Sequence, residues 1–179
     1  PISIAVEYGF NPEGGTKNFA FSTRGSHSDL YKSLRVGKDF KNARDGFFLR
    51  AESYFNLATE IEELDKEPGG AKIIDSYGGA SLHEQSHGES FMALMKNRFY
   101  GHGVYILDEP EAALSPQRQL AMMARMKQLV DMDSQFIIAT HSPILLGYPG
   151  ARILSFDGEG IVPIAYKDTE HYRITKDFL

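Results

Sequence analysis

The chain predicts an α/β domain with a largely parallel sheet, flanking helices and a C-terminal β-hairpin. Three observations carry that class. Two short apolar segments, Val104-Tyr105-Ile106-Leu107 and Phe136-Ile137-Ile138-Ala139, each run into polar residues. A helix-spaced apolar stretch lies between them, and two further strand-like segments flank a Gly-rich turn near the end. Strands that are apolar throughout are buried on both faces, as in parallel sheets covered by helices. A strand, a helix and a second strand in that order build such a sheet.

Taken in order, the chain to about residue 46 is rich in Gly, Asn, Ser and charge, and reads as loop with short elements. Phe47 to Arg50 is a buried strand and Ser53 to Lys66 a helix. Pro68-Gly69-Gly70 and Gly78-Gly79 mark a long exposed connection. An amphipathic run from Ser90 to Phe99 follows Ser86-His87-Gly88-Glu89. After the strand at Val104, Ser115 caps a helix from Pro116 to about Met132. On that helix Met122, Met123, Met126, Leu129 and Val130 form one apolar stripe, which reads as core. Gln135 to Thr140 is the next strand, after which Ser142 caps a helix with Pro143 in its first position. Arg152 to Phe156 and Ile161 to Tyr166 pair around Asp157-Gly158-Glu159-Gly160. There is no internal repeat or low-complexity tract.

The chemistry concentrates at strand ends. Asp108 and Glu109 stand side by side where the first strand stops, the position at which open α/β sheets bind ligands. Two adjacent carboxylates suit a magnesium-phosphate site: Asp108 as the metal ligand, directly or through water, and Glu109 within reach of an attacking water. His141 stands at the end of the second strand. Ser86 and Gly88 open a helix, whose N-terminus offers free N–H groups to a phosphate.

Composition bounds the rest. A chain of 179 residues with 42% hydrophobic residues builds one domain with a real core. With no cysteine there is no disulfide scaffold and no thiol-ligated zinc site. No run reaches the ~18 apolar residues of a membrane span and no signal segment opens the chain, so a cytoplasmic protein is the simplest reading. A net charge of −5 weighs against a surface dominated by nucleic-acid binding. Lys32, Arg35, Lys38, Lys41 and Arg44 are locally basic and read first as a solvated face, with a phosphate-tracking surface as the second reading.

These motifs in this order resemble the ATPase domain of the ABC class. Val104 to Glu109 is similar to its Walker B strand, Ser86 to Glu89 to its signature, and Thr140-His141-Ser142 to its histidine switch. Ala112-Ala113-Leu114-Ser115 stands in the place of the D-loop, with Ser115 where the family usually has Asp. Arg50 or Glu52 falls where the family carries its Q-loop glutamine, and neither is one. The resemblance covers about residues 81 to 145. Tyr8 to Gly15 and Phe47 to Glu52 are similar to small stand-alone bacterial ATPases of this class that carry the AAA label.

The resemblance implies ATP and Mg²⁺ as cofactors and a homodimer closed on ATP. Asp108 would position the metal, Glu109 would serve as general base, His141 would sense the γ-phosphate, and Ser86, Gly88 and Glu89 would meet the partner's nucleotide, with Ser115 beside the dimer contact. A P-loop, G-x-x-x-x-G-K-[ST], is absent: Gly37-Lys38 is followed by Asp39, and Gly14-Gly15-Thr16-Lys17 has the wrong spacing. Residues 1 to 179 are therefore expected to be a single ATPase domain without its N-terminal P-loop part, with residues 1 to 8 helical.

Two other classes compete. Without a P-loop the chain could be a non-catalytic dimerisation or interaction module. His83-Glu84-Gln85-Ser86-His87 also matches H-E-x-x-H, the zinc-protease motif, which needs one continuous helix through both histidines. Gly78-Gly79 just before it and Gly88 just after it argue against such a helix.

Overall fold

The computed structural model describes residues 1–17, 29–37, 43–52, 54–66, 72–79, 81, 83, 85–157 and 160–178. The chain divides into two compact units, residues 1–139 and 140–179.

The first unit is built on a three-stranded parallel sheet of β1 (Asp45–Arg50), β2 (Gly103–Asp108) and β3 (Gln135–Ala139), in the order β1-β2-β3. The register aligns Phe47 with Tyr105 and Phe136, and Phe48 with Ile106 and Ile137. Phe47, Phe48 and Leu49 are buried in succession, as are Tyr105, Ile106 and Leu107, so both faces of the sheet are covered at β1 and β2, whereas Phe136 to Ala139 of β3 are only half-buried. At the outer edge of β1, Gly15 and Phe48 exchange backbone hydrogen bonds of 2.8 and 3.0 Å.

On one face lies α1 (Ile2–Tyr8), the helix expected at the start, which ends at Gly9 in the left-handed conformation (φ 99°). Ala5, Phe10, Phe48 and Ile106 form a buried cluster there, with Ile2, Ile4, Tyr8, Val104 and Ile137 packed around it. Among the rings of the alternate residues, Phe99 stacks on Tyr105 with centroids 4.1 Å apart, and Phe47 and Phe136 adjoin that pair. Among the described residues this unit also holds the α-helices α2 (Tyr54–Leu64), α3 (His87–Arg98) and α4 (Pro116–Val130). Leu57 and Ile61, Phe91 and Leu94, and Met122 and Leu129 are among their buried residues. Each such side chain contributes about 1.5–3 kcal/mol of burial.

The stripe on α4 differs from its expectation at one end. Met122, Met126 and Leu129 are buried and Met123 is half-buried, but Val130 is 41% exposed. One step along a helix turns the side chain by about 100°, so the residue after Leu129 leaves the buried face. Gln119 extends that face instead, its Nε2 donating to the Leu114 carbonyl at 3.0 Å.

Polar groups at the N-terminal end of the sheet satisfy one another. Asp45 accepts from the Tyr105 hydroxyl at 2.7 Å and pairs with Arg98 at 3.3 Å. Burial, then the bond to Asp45, pushes the Tyr105 hydroxyl above its ordinary pKa of 10.0.

The second unit holds α5 (Pro143–Leu146), an antiparallel hairpin of β4 (Ile153–Asp157) and β5 (Gly160–Ile164), and α6 (Glu170–Phe178). The hairpin is the expected one; Gly158 and Glu159 of its turn lie outside the described residues. Ser142 caps α5, its Oγ accepting from the amides of Ile144 and Leu145 at 3.1 and 3.3 Å. Among the described residues no helix is long and apolar enough to cross a membrane.

Candidate functional site

Pairing in register brings Arg50, at the end of β1, opposite Asp108 at the end of β2, with Ala139 of β3 beyond. A cleft of about 150 Å³ opens there, lined by Arg50, Ala51, Glu52, Asp108 and Glu109. A larger hollow of about 430 Å³ lies along Met92, Ala93, Lys96, Arg125 and Gln128, but no carboxylate lines it. The acidic pair read from the sequence is therefore found in the smaller cleft.

Asp108 is half-buried and Glu109 exposed. Glu109 leaves the strand in the left-handed region (φ 50°, ψ 51°), while its amide donates to the Ala139 carbonyl at 3.0 Å. Pro110 then starts a short 3₁₀ turn, Pro110–Ala113. Asp108 is the last residue of the strand, and Glu109 opens the turn.

The Asp108 carboxylate faces the Arg50 guanidinium, Nε to Oδ2 3.4 Å, both side chains being 15–17% exposed. That Nε is buried and has no hydrogen-bond partner of good geometry, so the contact is one of charge alone. The other end of the guanidinium is held better, Nη2 donating to Glu52 at 2.9 Å. The two sequence candidates for the Q-loop position thus meet each other in one cleft.

A second cluster forms where α3 begins. Ser86 donates through both its amide and its hydroxyl to the Glu89 carboxylate, at 3.1 and 2.6 Å. Arg118, from the first turn of α4, donates to the Ser86 hydroxyl at 3.1 Å and pairs with Glu89 at 3.1 Å. The Ser86 bonds first, then the Arg118 charge, hold the Glu89 carboxyl below its ordinary range. Ser115 caps α4, its Oγ accepting from the Arg118 amide at 3.4 Å. Arg118 therefore joins the signature-like segment to the D-loop-like one, a link that the sequence reading missed. Nothing local in Ser115-Pro116-Gln117-Arg118 announces a contact 32 residues away.

Gly88 is buried beneath this cluster. A Cβ there would lie 2.4 Å from Arg118 Nη1, 2.9 Å from its Cδ and 3.0 Å from the Ala113 carbonyl oxygen. Its small size is thus already required within the chain.

His141 belongs to the second unit, where its Nδ1 lies 3.4 Å from His171 Nε2. His83 lies in a turn and bonds with Thr59 at 3.2 Å, whereas helix begins only at His87. The two histidines of the H-E-x-x-H string are not on one helix, and Glu84 lies outside the described residues. Among the described residues no group of three or more His, Cys, Asp or Glu side chains could hold a metal. Of the basic stretch, Lys32 pairs with Asp29 at 2.9 Å, and Lys38 and Lys41 lie outside the described residues.

No family model, curated protein or solved structure matches this chain.

Proposed function

We propose that this chain is the Walker B and signature portion of an ABC-type ATPase, which hydrolyses ATP in a nucleotide-sandwich homodimer. The observation that carries the reading is the placement of Asp108 and Glu109. They stand at the C-terminal end of the central strand of a parallel sheet, beside a small cleft, where such sheets bind ligands. The order of the motifs along the chain supports it, as does the capped helix start at Ser86.

The donor set suits Mg²⁺ bound with nucleotide. That ion takes one or two carboxylates, completes its shell with water and phosphate, and needs no all-protein cage. Asp108 would hold it, and when bound it would neutralise charge on the phosphates. Glu109, exposed and turned out of the strand, would accept a proton from the attacking water. Ser86 and Glu89, with Ser115 nearby, would face nucleotide across the dimer, above the buried Gly88. Catalysis of this type is mostly positioning and charge stabilisation.

The test joins a P-loop segment to this chain and measures hydrolysis. Glu109→Gln is expected to keep ATP binding and slow turnover by ~10²-fold or more, the scale of a lost general base. Unchanged turnover would remove Glu109 from the mechanism. The missing G-x-x-x-x-G-K-[ST] string favours a second reading, a non-catalytic dimerisation module. Titrating the 179-residue chain with ATP-Mg separates the two. Weak or absent binding by the chain alone, with hydrolysis once a P-loop is supplied, supports the ATPase. Dimerisation indifferent to nucleotide in both forms supports the module.

A further inference from the structure

We propose that the groove between α3 and α4 docks an acidic, amphipathic segment of a partner protein. None of the residues that line it has a role in the ATPase reading, so the two stand or fall separately.

The groove is the hollow of about 430 Å³ lined by Met92, Ala93 and Lys96 of α3 and by Arg125 and Gln128 of α4. Spacings of three and four place Met92, Ala93 and Lys96 together on one side of α3, and a spacing of three does the same for Arg125 and Gln128 on α4. Met92 and Ala93 are its half-buried apolar part, while Lys96 and Gln128 are exposed.

Charge decides what fits. In a chain of net charge −5, α4 carries Arg118, Arg125 and Lys127 and no Asp or Glu. Arg118 is paired with Glu89 and Lys127 with Asp131. Lys96 and Arg125 form no ion pair among the described residues. The Arg125 guanidinium is nonetheless fixed, because its Nη1 donates to Gln128 Oε1 at 3.0 Å and its Nη2 to the Phe99 carbonyl at 2.9 Å. Two neutral acceptors thus hold a full positive charge in place without a counter-charge. A carboxylate that arrives there meets a cation already ordered, so little freedom is lost on binding.

An apolar groove between two helices with cations beside it matches the mode in which an amphipathic helix lays apolar residues three and four apart into a hydrophobic groove. Methionine suits such a surface, since its unbranched side chain adapts to the shape it meets. Nucleic acid fits worse. No aromatic side chain lines the groove for a base to stack on, and Met92 and Ala93 offer nothing to a phosphate.

The experiment presents the whole chain to a display library of helical peptides with randomised faces, and measures the recovered peptides by fluorescence anisotropy. They are expected to combine Asp or Glu with large apolar residues at helical spacing, and to shift the Met92 methyl resonance in NMR spectra of the chain. Lys96→Glu, at an exposed position outside any ion pair, should weaken them ~10-fold by placing like charges opposite each other, while Lys96→Arg should preserve affinity. Recovery of no acidic peptides overturns the proposal, and so does binding that is indifferent to Lys96→Glu. An oligonucleotide or a second copy of the chain that shifts the Met92 methyl with the same dependence on Lys96 would also overturn it. No arm of the experiment contains nucleoside triphosphate, so failure of the ATPase reading leaves these outcomes unchanged.

Discussion

Two of the arginine–carboxylate pairs in the first unit, Arg50 with Asp108 and Arg118 with Glu89, differ in almost every physical respect. Arg50 and Asp108 are half-buried, meet by charge without a formed hydrogen bond, and are fixed by strand register. Arg118 and Glu89 are more exposed, at 35% and 57%, and sit in a network of short bonds with Ser86. The first pair has little water to screen it and poor geometry; the second has good geometry and ample water. Burial raises the cost of losing one partner, whereas exposure lets solvent replace it. Asp108 is thus held by charge from the neighbouring strand, while Glu89 is held in a fold-forming cap.

The comparison can be broken in several ways, beginning with the space beneath the second pair. Gly88→Ala would drive a Cβ into Arg118 and the Ala113 carbonyl, and about 2–3 kcal/mol of stability should be lost by chemical denaturation. Adding Arg118→Ala should recover part of this, because the side-chain clash goes and the carbonyl contact stays. No recovery would show that Arg118 does not rest on Gly88.

Asp108→Asn should cost about 1–2 kcal/mol, since the buried Arg50 Nε then loses its counter-charge in a partly exposed site. A loss no larger than that of Glu89→Gln would remove the contrast in burial. Ser115→Ala should cost about 0.5 kcal/mol, the low end for a cap, because its bond to the Arg118 amide is long at 3.4 Å.

The smallest effect is one of pH. The folded-state pKa of Glu89 lies below its ordinary 4.5, so the stability it adds is present above that value and lost as pH falls through the folded pKa. Thermal melts of the parent and Glu89→Gln should therefore differ at neutral pH and converge in acid. A difference that grows in acid would contradict the assigned direction.

Local pattern made much of this legible from residues alone. The apolar runs at Val104 and Phe136, the caps at Ser115 and Ser142, and the closing hairpin are all consequences of neighbours in sequence, and each is present. Adjacent residues likewise disclosed Asp108 and Glu109. What escaped was whatever depends on register or on contact between helices. Arg50 meets Asp108 only because two strands align, and Arg118 reaches Ser86 only because α3 and α4 start near each other. Val130 was misplaced for a smaller reason: composition marks a residue as apolar but not where a helix turns it.

The left-handed backbone at Glu109 has its own consequence for the evolution of this chain. A side chain in that region costs roughly 1–2 kcal/mol relative to glycine, and asparagine also tolerates it. Selection for thermal robustness alone would therefore pull position 109 toward Gly or Asn and away from a carboxylate. Hardiness and acidity are opposed at a single backbone angle. A lineage retaining Glu there would do so against its own melting temperature.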